Sequence, residues 1–303
     1  MATTTTISSS FVGKDAGMYI AAAMKESKSL NELTIMDNVK YKAIVKSLVG
    51  ADFVQDESCD FTPTGSLTLS EKVITPKALK LNLQLCKQDL LSAWERNQMG
   101  AGANNRNTPE FHAFVMSYLA DAIAESTENN IWSGADAQGG EFEGFLTATT
   151  GAFATDGNVN AVAKVGASID ASNIVDNLSA IADAIPSTVL GKEDLCIFIN
   201  QKHYRNYIHK MSELGYIDRF NMSADYTPVF EGIKLCVVDG MPNDKLVAAR
   251  RSNLFFGTDL VGDQSELRML DMADIDGSDN IRVICKYTAG TQIGIGSEIA
   301  YLS

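Results

Sequence analysis

The hydrophobic and polar positions fall into two regimes, one with a period near two and one with a period near 3.6. Leu79-Lys80-Leu81-Asn82-Leu83-Gln84-Leu85 alternates strictly, the mark of a half-buried strand. Val39–Lys46 alternates imperfectly and is predicted to be extended as well. Between them lies Gln55-Asp56-Glu57-Ser58-Cys59-Asp60-Phe61-Thr62-Pro63-Thr64-Gly65, a polar stretch with turn chemistry. The expected product is a long two-stranded ribbon with too few apolar residues for a core of its own. An isolated hairpin is marginal in water, so such a ribbon needs another domain or another molecule to lie on.

The helical period is clearest after Thr108-Pro109-Glu110. Threonine can cap, proline suits the first helical position and an acidic residue suits the positive helix end. Phe111, Phe114, Val115, Tyr118, Leu119, Ala122 and Ile123 follow at amphipathic spacing, and the run ends at Trp132 before Ser133-Gly134. This predicts a strut about 37 Å long over Thr108–Trp132. Phe114, Tyr118 and Leu119 lie on its apolar stripe, with Asp121, Glu125 and Glu128 on the other side or towards the polar end, facing solvent or a neighbour.

Further on, Asn173–Ala184 is predicted as a helix burying Ile174, Leu178, Ile181 and Ile185. A buried strand at Leu195–Asn200 and a helix at Gln201–Leu214 follow. Gly232–Val238 is strand, and Lys245–Gly257 is strand with an interruption. Leu267–Leu270 and Ile281–Tyr287 are expected to form a hairpin around Asp276–Asp279, and Thr291–Ile299 a last strand. Residues 1–35 are rich in Thr and Ser, with a helix candidate at Lys14–Ser27 that lacks a full buried face. The order of elements suits an α+β fold better than regular βαβ units.

Composition narrows the function by exclusion. The net charge of -13 falls entirely on residues 101–303, because residues 1–100 carry 11 basic and 11 acidic side chains. An acidic body with Arg250-Arg251 as its basic doublet does not resemble a protein that grips phosphate backbones. It suits a soluble surface, or the wall of a container that must not adsorb nucleic acid. Cys59, Cys86, Cys196, Cys236 and Cys285 are scattered and never paired as CxxC. They are read as reduced, mostly buried thiols. Neither an apolar run of bilayer length nor a basic-then-apolar leader is evident, so folding in a cytoplasm is expected.

The sequence carries few signatures of chemistry. GxSxG, HExxH, CxxC and EF-hand patterns are all missing from the sequence. Gly191-Lys192 has Pro186 and Glu193 where a phosphate-binding loop needs Gly and Ser or Thr. Gly294-Ile295-Gly296 is part of a dinucleotide fingerprint with no helix after it. His203 and His209 fall on opposite faces of one predicted helix, and His112 lies in the first turn of another. Asp271, Asp274, Asp276 and Asp279 surround Gly277 but lack the closing glutamate of a calcium loop, which favours a solvated hairpin tip. Catalytic, cofactor and metal residues are therefore assigned to none.

Read end to end, the order of parts resembles the Hong Kong 97-type major capsid fold of tailed bacteriophages. The residues that carry the resemblance begin with the lead-in Ile74-Thr75-Pro76-Lys77-Ala78-Leu79-Lys80-Leu81 and Lys87-Gln88-Asp89-Leu90-Leu91. The long helix follows, with Ile131-Trp132-Ser133-Gly134 and then Glu143-Gly144-Phe145-Leu146. Later come Gly232–Val238, Met241-Pro242, Leu254-Phe255-Phe256-Gly257-Thr258-Asp259 and the closing Asn280–Tyr287 with Ile293–Gly296. The resemblance implies an N-terminal arm at 1–37, an extended loop at 38–75, a peripheral domain at 76–150 and 257–292, and an axial domain at 151–256 and 293–303. It implies a non-enzymatic shell subunit that assembles with copies of itself into hexamers and pentamers around double-stranded DNA, without sequence-specific binding and without a membrane. The long N-terminal scaffolding extension of many members finds no counterpart, so a separate scaffolding protein is expected, with a portal and decoration proteins. Location in the virion, and in the host cytoplasm during assembly, follows from the same resemblance. Candidate inter-subunit contacts lie in the arm and the loop: Phe11, Tyr19, Phe53, Asp56, Glu57, Asp60 and Phe61. Two other classes fit the same residues. One is an encapsulin-like compartment, which a cargo groove would reveal. The other is an enzyme or surface-binding protein, which a monodisperse monomer would favour.

Overall fold

A computed structural model describes residues 27–57, 59–61, 63–87, 109–137, 139–215, 228–260, 263, 266–273 and 275–302. The helix candidate at Lys14–Ser27 and the capping Thr108 lie outside them, Ser27 excepted.

Two sheets and one long helix organise the described chain. The first sheet is built on β12 (Asn280–Ile293), which runs antiparallel to β4 (Lys77–Cys86) along one edge. Its other edge pairs with β11 (Arg268–Asp271) and then β10 (Leu254–Gly257), while β1 (Thr34–Met36) adds parallel to β10. The second sheet has the order β5 (Asn160–Val162), β13 (Ala300–Leu302), β9 (Val247–Arg250), β6 (Leu195–Ile199), β8 (Ile233–Val237), β7 (Val229–Phe230). The interruption expected within Lys245–Gly257 is the 3-10 turn Arg251–Asn253, where the chain leaves the second sheet for the first. The last strand is shorter than expected. Thr291–Ile293 ends β12, Gly296–Glu298 is a 3-10 turn, and β13 begins only at Ala300.

The long helix α1 (Pro109–Ser133) changes character along its length. Its first half is one-sided. Val115 and Leu119 pack with Val283, Leu81, Leu83, Leu85 and Met269 on the face of the first sheet. Tyr118, expected on that stripe, is 37% exposed instead and stacks on Phe114, with ring centroids 6.5 Å apart. The last turns enter the space between the two sheets and are buried on most sides. Ile131, Trp132, Thr127, Glu128 and Asn130 are at most 5% exposed. Trp132 packs against Phe145 and against Phe198 of the second sheet, with ring centroids 5.7 and 5.1 Å apart. Glu128, expected to face solvent or a neighbour, is instead fully buried within the subunit by contacts far along the chain.

The helix end explains the motif around it. Phe145 and Leu146 donate backbone N–H groups to the Ile131 and Trp132 carbonyls at 2.9 and 2.8 Å, satisfying two of the acceptors that every helix C-terminus leaves open. A Cβ on Gly144 would stand 2.5 Å from the Asn130 carbonyl oxygen, and one on Gly134 2.4 Å from that of Phe142. Only glycine permits this return.

The second sheet is covered by α3 (Ile174–Asp183) and α4 (Gln201–Glu213), with a one-turn helix α2 (Ala152–Thr155) preceding β5. Ile174, Leu178, Ile181 and Ile185 are buried as predicted, over Leu195, Ile197 and Ile199.

Candidate assembly surface

The ribbon exists, but its second strand is not the one the alternation at Leu79–Leu85 suggested. β2 (Ala43–Ala51) pairs antiparallel with β3 (Ser66–Ile74), residue for residue, while Leu79–Leu85 belongs to β4 in the first sheet. The strict alternation of β4 marks a strand half-buried on α1. The ribbon's own alternation is broken by Lys46 and Glu71 and is easily overlooked.

The register sorts the ribbon into two unlike faces. Ile44↔Val73, Leu48↔Leu69 and Gly50↔Leu67 stand on one face, with Lys46↔Glu71 between them. The other face carries Ser47↔Ser70, Val49↔Thr68 and Ala51↔Ser66. Beyond its base the ribbon is exposed on both faces, Val49 included, and the first face is the apolar one. Ile44, Leu48, Leu67, Leu69 and Val73 are 44–64% exposed, and among the described residues nothing covers them. Lys46 and Glu71 form a 3.8 Å ion pair in solvent, worth little to the fold.

Among the described residues, only the base of the ribbon is anchored. Val45 and Ile74 are buried, and Ile74 packs on Gly257 of β10. The Gln292 side-chain amide donates to the Val73 carbonyl at 3.0 Å. Lys72 is ion-paired with Asp156. Burial by itself would raise the Asp156 carboxyl, but the Lys72 hydrogen bond and charge, with donors from Asn158, hold it below the usual aspartate range.

At the far end, Asp52 and Gly65 adopt positive φ angles, and Phe53 lies across Gly50 and Gly65. A Cβ on Gly50 would meet its ring at 2.1 Å. Of the predicted contact residues, Phe53 is 59% exposed and closes the ribbon's end, Phe61 is 94% exposed, and Asp56, Glu57 and Asp60 are exposed around them. Phe11 and Tyr19 lie outside the described residues. The sequence reading missed Ile44, Leu48, Leu67, Leu69 and Val73. Their signal was present as spacing of two around one charge in each strand.

Groups suited to chemistry are dispersed. Cys196, Cys236 and Cys285 are buried in strands; the neighbouring Cys236 thiol and then burial push the Cys196 thiol up, and burial pushes the Cys285 thiol up. His203 is buried and His209 exposed. Gly294 and Gly296 make room for Asn253 and Asp156. Asp271 pairs with Lys87 at 2.5 Å. Among the described residues no three His, Cys, Asp or Glu side chains gather as metal ligands, and no helix is long and apolar enough to cross a membrane.

No protein-family model matches the chain, and no curated protein matches it. Solved structures match over nearly its full length. The capsid of an empty GTA particle is 14% identical with a TM-score of 0.59, covering 96% of this chain and 94% of that one. A structure from Gordonia phage Cozz is 10% identical with a TM-score of 0.62, covering 96% and 91%. The capsid of Myoviridae phage XM1 is 13% identical with a TM-score of 0.57, covering 96% and 95%. The chain has the α+β fold of phage capsid subunits, as the resemblance to the Hong Kong 97-type capsid fold implied.

Proposed function

We propose that this chain is the major capsid protein of a tailed phage, a structural subunit that works by assembling with copies of itself. The observation that carries the reading is the apolar face of the β2–β3 ribbon. Nine paired residues at roughly 3.4 Å each make an arm of about 30 Å, anchored at one end and, among the described residues, left with Ile44, Leu48, Leu67, Leu69 and Val73 exposed on one face. A contiguous exposed patch of this kind marks an interaction site. A second copy of the chain is the partner available at equal concentration, and one contact repeated around a closed symmetry gives large total stability. The fold shared with capsid subunits supports the same conclusion.

On this reading residues 38–75 form the extended loop and 1–37 the arm. β4, β11, β12 and α1 make up most of the peripheral domain (76–150 and 257–292), and the second sheet makes the axial domain (151–256 and 293–303). Hexamers and pentamers close a shell in the virion around double-stranded DNA, with assembly in the host cytoplasm. A scaffolding protein, a portal and decoration proteins are its expected partners. No step of the function requires a catalytic group.

Light scattering and negative-stain microscopy of the purified chain test the proposal. Capsomers or shells are expected as concentration rises. A compact monomer under every assembly condition would overturn it.

A further inference from the structure

The segment from Lys28 to Val39 crosses α1 and both sheets, and its contacts make it a strap. Lys28 pairs with Asp239 at 3.0 Å, and Glu32 pairs with Lys234 at 3.1 Å and Arg251 at 2.9 Å. β1 joins the edge of the first sheet, and the Asn38 and Val39 amides donate to Asp259 and Thr258 at 2.8 and 3.0 Å. Beneath the strap sits a contact that is wholly buried, since Ser29 and Glu128 are both 0% exposed. The Ser29 amide donates to Glu128 Oε2 at 3.0 Å, and the Ser29 hydroxyl donates to Oε1 at 2.7 Å. The Gly240 amide donates to Oε1 at 3.1 Å, and Trp132 Nε1 donates to Ser29 Oγ at 2.7 Å.

The donors around this carboxylate are neutral. The charge that acts on it is another carboxylate, Asp239, and the strap's own cation, Lys28, is paired with Asp239. A buried carboxylate without a cation is costly. A protonated Glu128 removes that charge. The Ser29 hydroxyl can then turn to accept the carboxyl proton, while the Ser29 and Gly240 amides keep their acceptors.

We propose that Glu128 is a proton-operated catch on the strap, gripping it more firmly as pH falls from neutral and less firmly as pH rises. Burial pushes the Glu128 carboxyl above the usual 4.5, against the pull of the Ser29 and Gly240 hydrogen bonds, and Asp239 pushes the same way as burial. The strapped state therefore binds a proton that the released state does not, and lowering pH through that window favours the strap. Glu32 has the opposite sign. Burial would raise it, but the hydrogen bonds and charges of Lys234 and Arg251 hold it below 4.5. Its contribution is lost only as pH falls beneath that value, so the grip peaks between the two. The catch belongs to the single subunit and does not depend on the capsid reading.

Hydrogen exchange of the amides at 28–36, measured on the unassembled full-length chain across a pH series and corrected for intrinsic rates, tests the proposal. Protection should rise as pH falls toward the ordinary glutamate value, by at most about tenfold per pH unit for one linked proton. Glu128→Gln, which mimics the neutral catch, should abolish that dependence. Asp239→Asn should move it to lower pH. Protection that is flat with pH in the native chain, or a Glu128→Gln profile that follows the native one, overturns the proposal. If Glu128→Gln does not fold, Asp239→Asn decides, and an unmoved profile overturns it.

Discussion

Leu48 and Leu69 stand directly opposite each other in the β2–β3 ladder, yet they are 58% and 60% exposed. A cross-strand leucine pair normally belongs to a core. This one lies on an exposed face, and in the proposed assembly a second copy of the chain covers it.

Replacing Leu48 and Leu69 together by threonine keeps strand propensity while removing the apolar face. Subunit stability in a denaturant titration should change by no more than about 0.5 kcal/mol per site, the usual range for surface positions. Assembly followed by light scattering should be lost. A stability loss of several kcal/mol would show that the ribbon belongs to the subunit's own core.

Leu119→Ala should destabilise the subunit by roughly 2–5 kcal/mol, because Leu119 is buried between α1 and β12 and the site cannot fully collapse. Asp121→Ala, two residues on and exposed, should stay within about 0.5 kcal/mol. Equal losses in equilibrium unfolding would contradict a one-sided first half of the helix.

Gly144→Ala should cost about 1–3 kcal/mol or more, since its Cβ would meet the Asn130 carbonyl and the Ser133 and Gly134 amides, all backbone atoms that cannot rotate away. Gly139→Ala, whose Cβ would meet nothing within 4 Å, is the control and should be neutral or slightly stabilising. Thermal unfolding of the two variants side by side reads the difference.

The Lys72–Asp156 pair anchors the ribbon base and carries its own pH signature. The Asp156 carboxyl is held below its usual value, so its stabilisation is complete above about 3.8 and fades as pH falls through the lowered value. Lys72→Met should cost about 1 kcal/mol near neutrality, allowing for partial solvent screening, and should flatten the acid limb of the stability curve. An unchanged acid limb would mean the pair contributes nothing to holding the ribbon.

Much of this fold is legible along the chain. The period of α1, the Leu195–Ile199 run, the stripe of α3 and the hairpin of β11 and β12 are local patterns of burial, written at fixed spacing by whichever side must meet the core.

What tertiary structure alone decided concerns partners. Val39–Lys46 and Leu79–Leu85 both read as extended, and nothing local says that β2 turns back on Ser66–Ile74 while β4 joins β12, more than 190 residues away. Glu128 follows the same rule. Its helical position predicts solvent, but Ser29 and Gly240 arrive from 99 and 112 residues away and enclose it. Spacing along a chain determines which side of an element is apolar, because that depends on the period of one element alone. Which surface meets that side, and whether it lies in the same molecule or the next, depends on contacts that close long loops, and only the folded chain contains them.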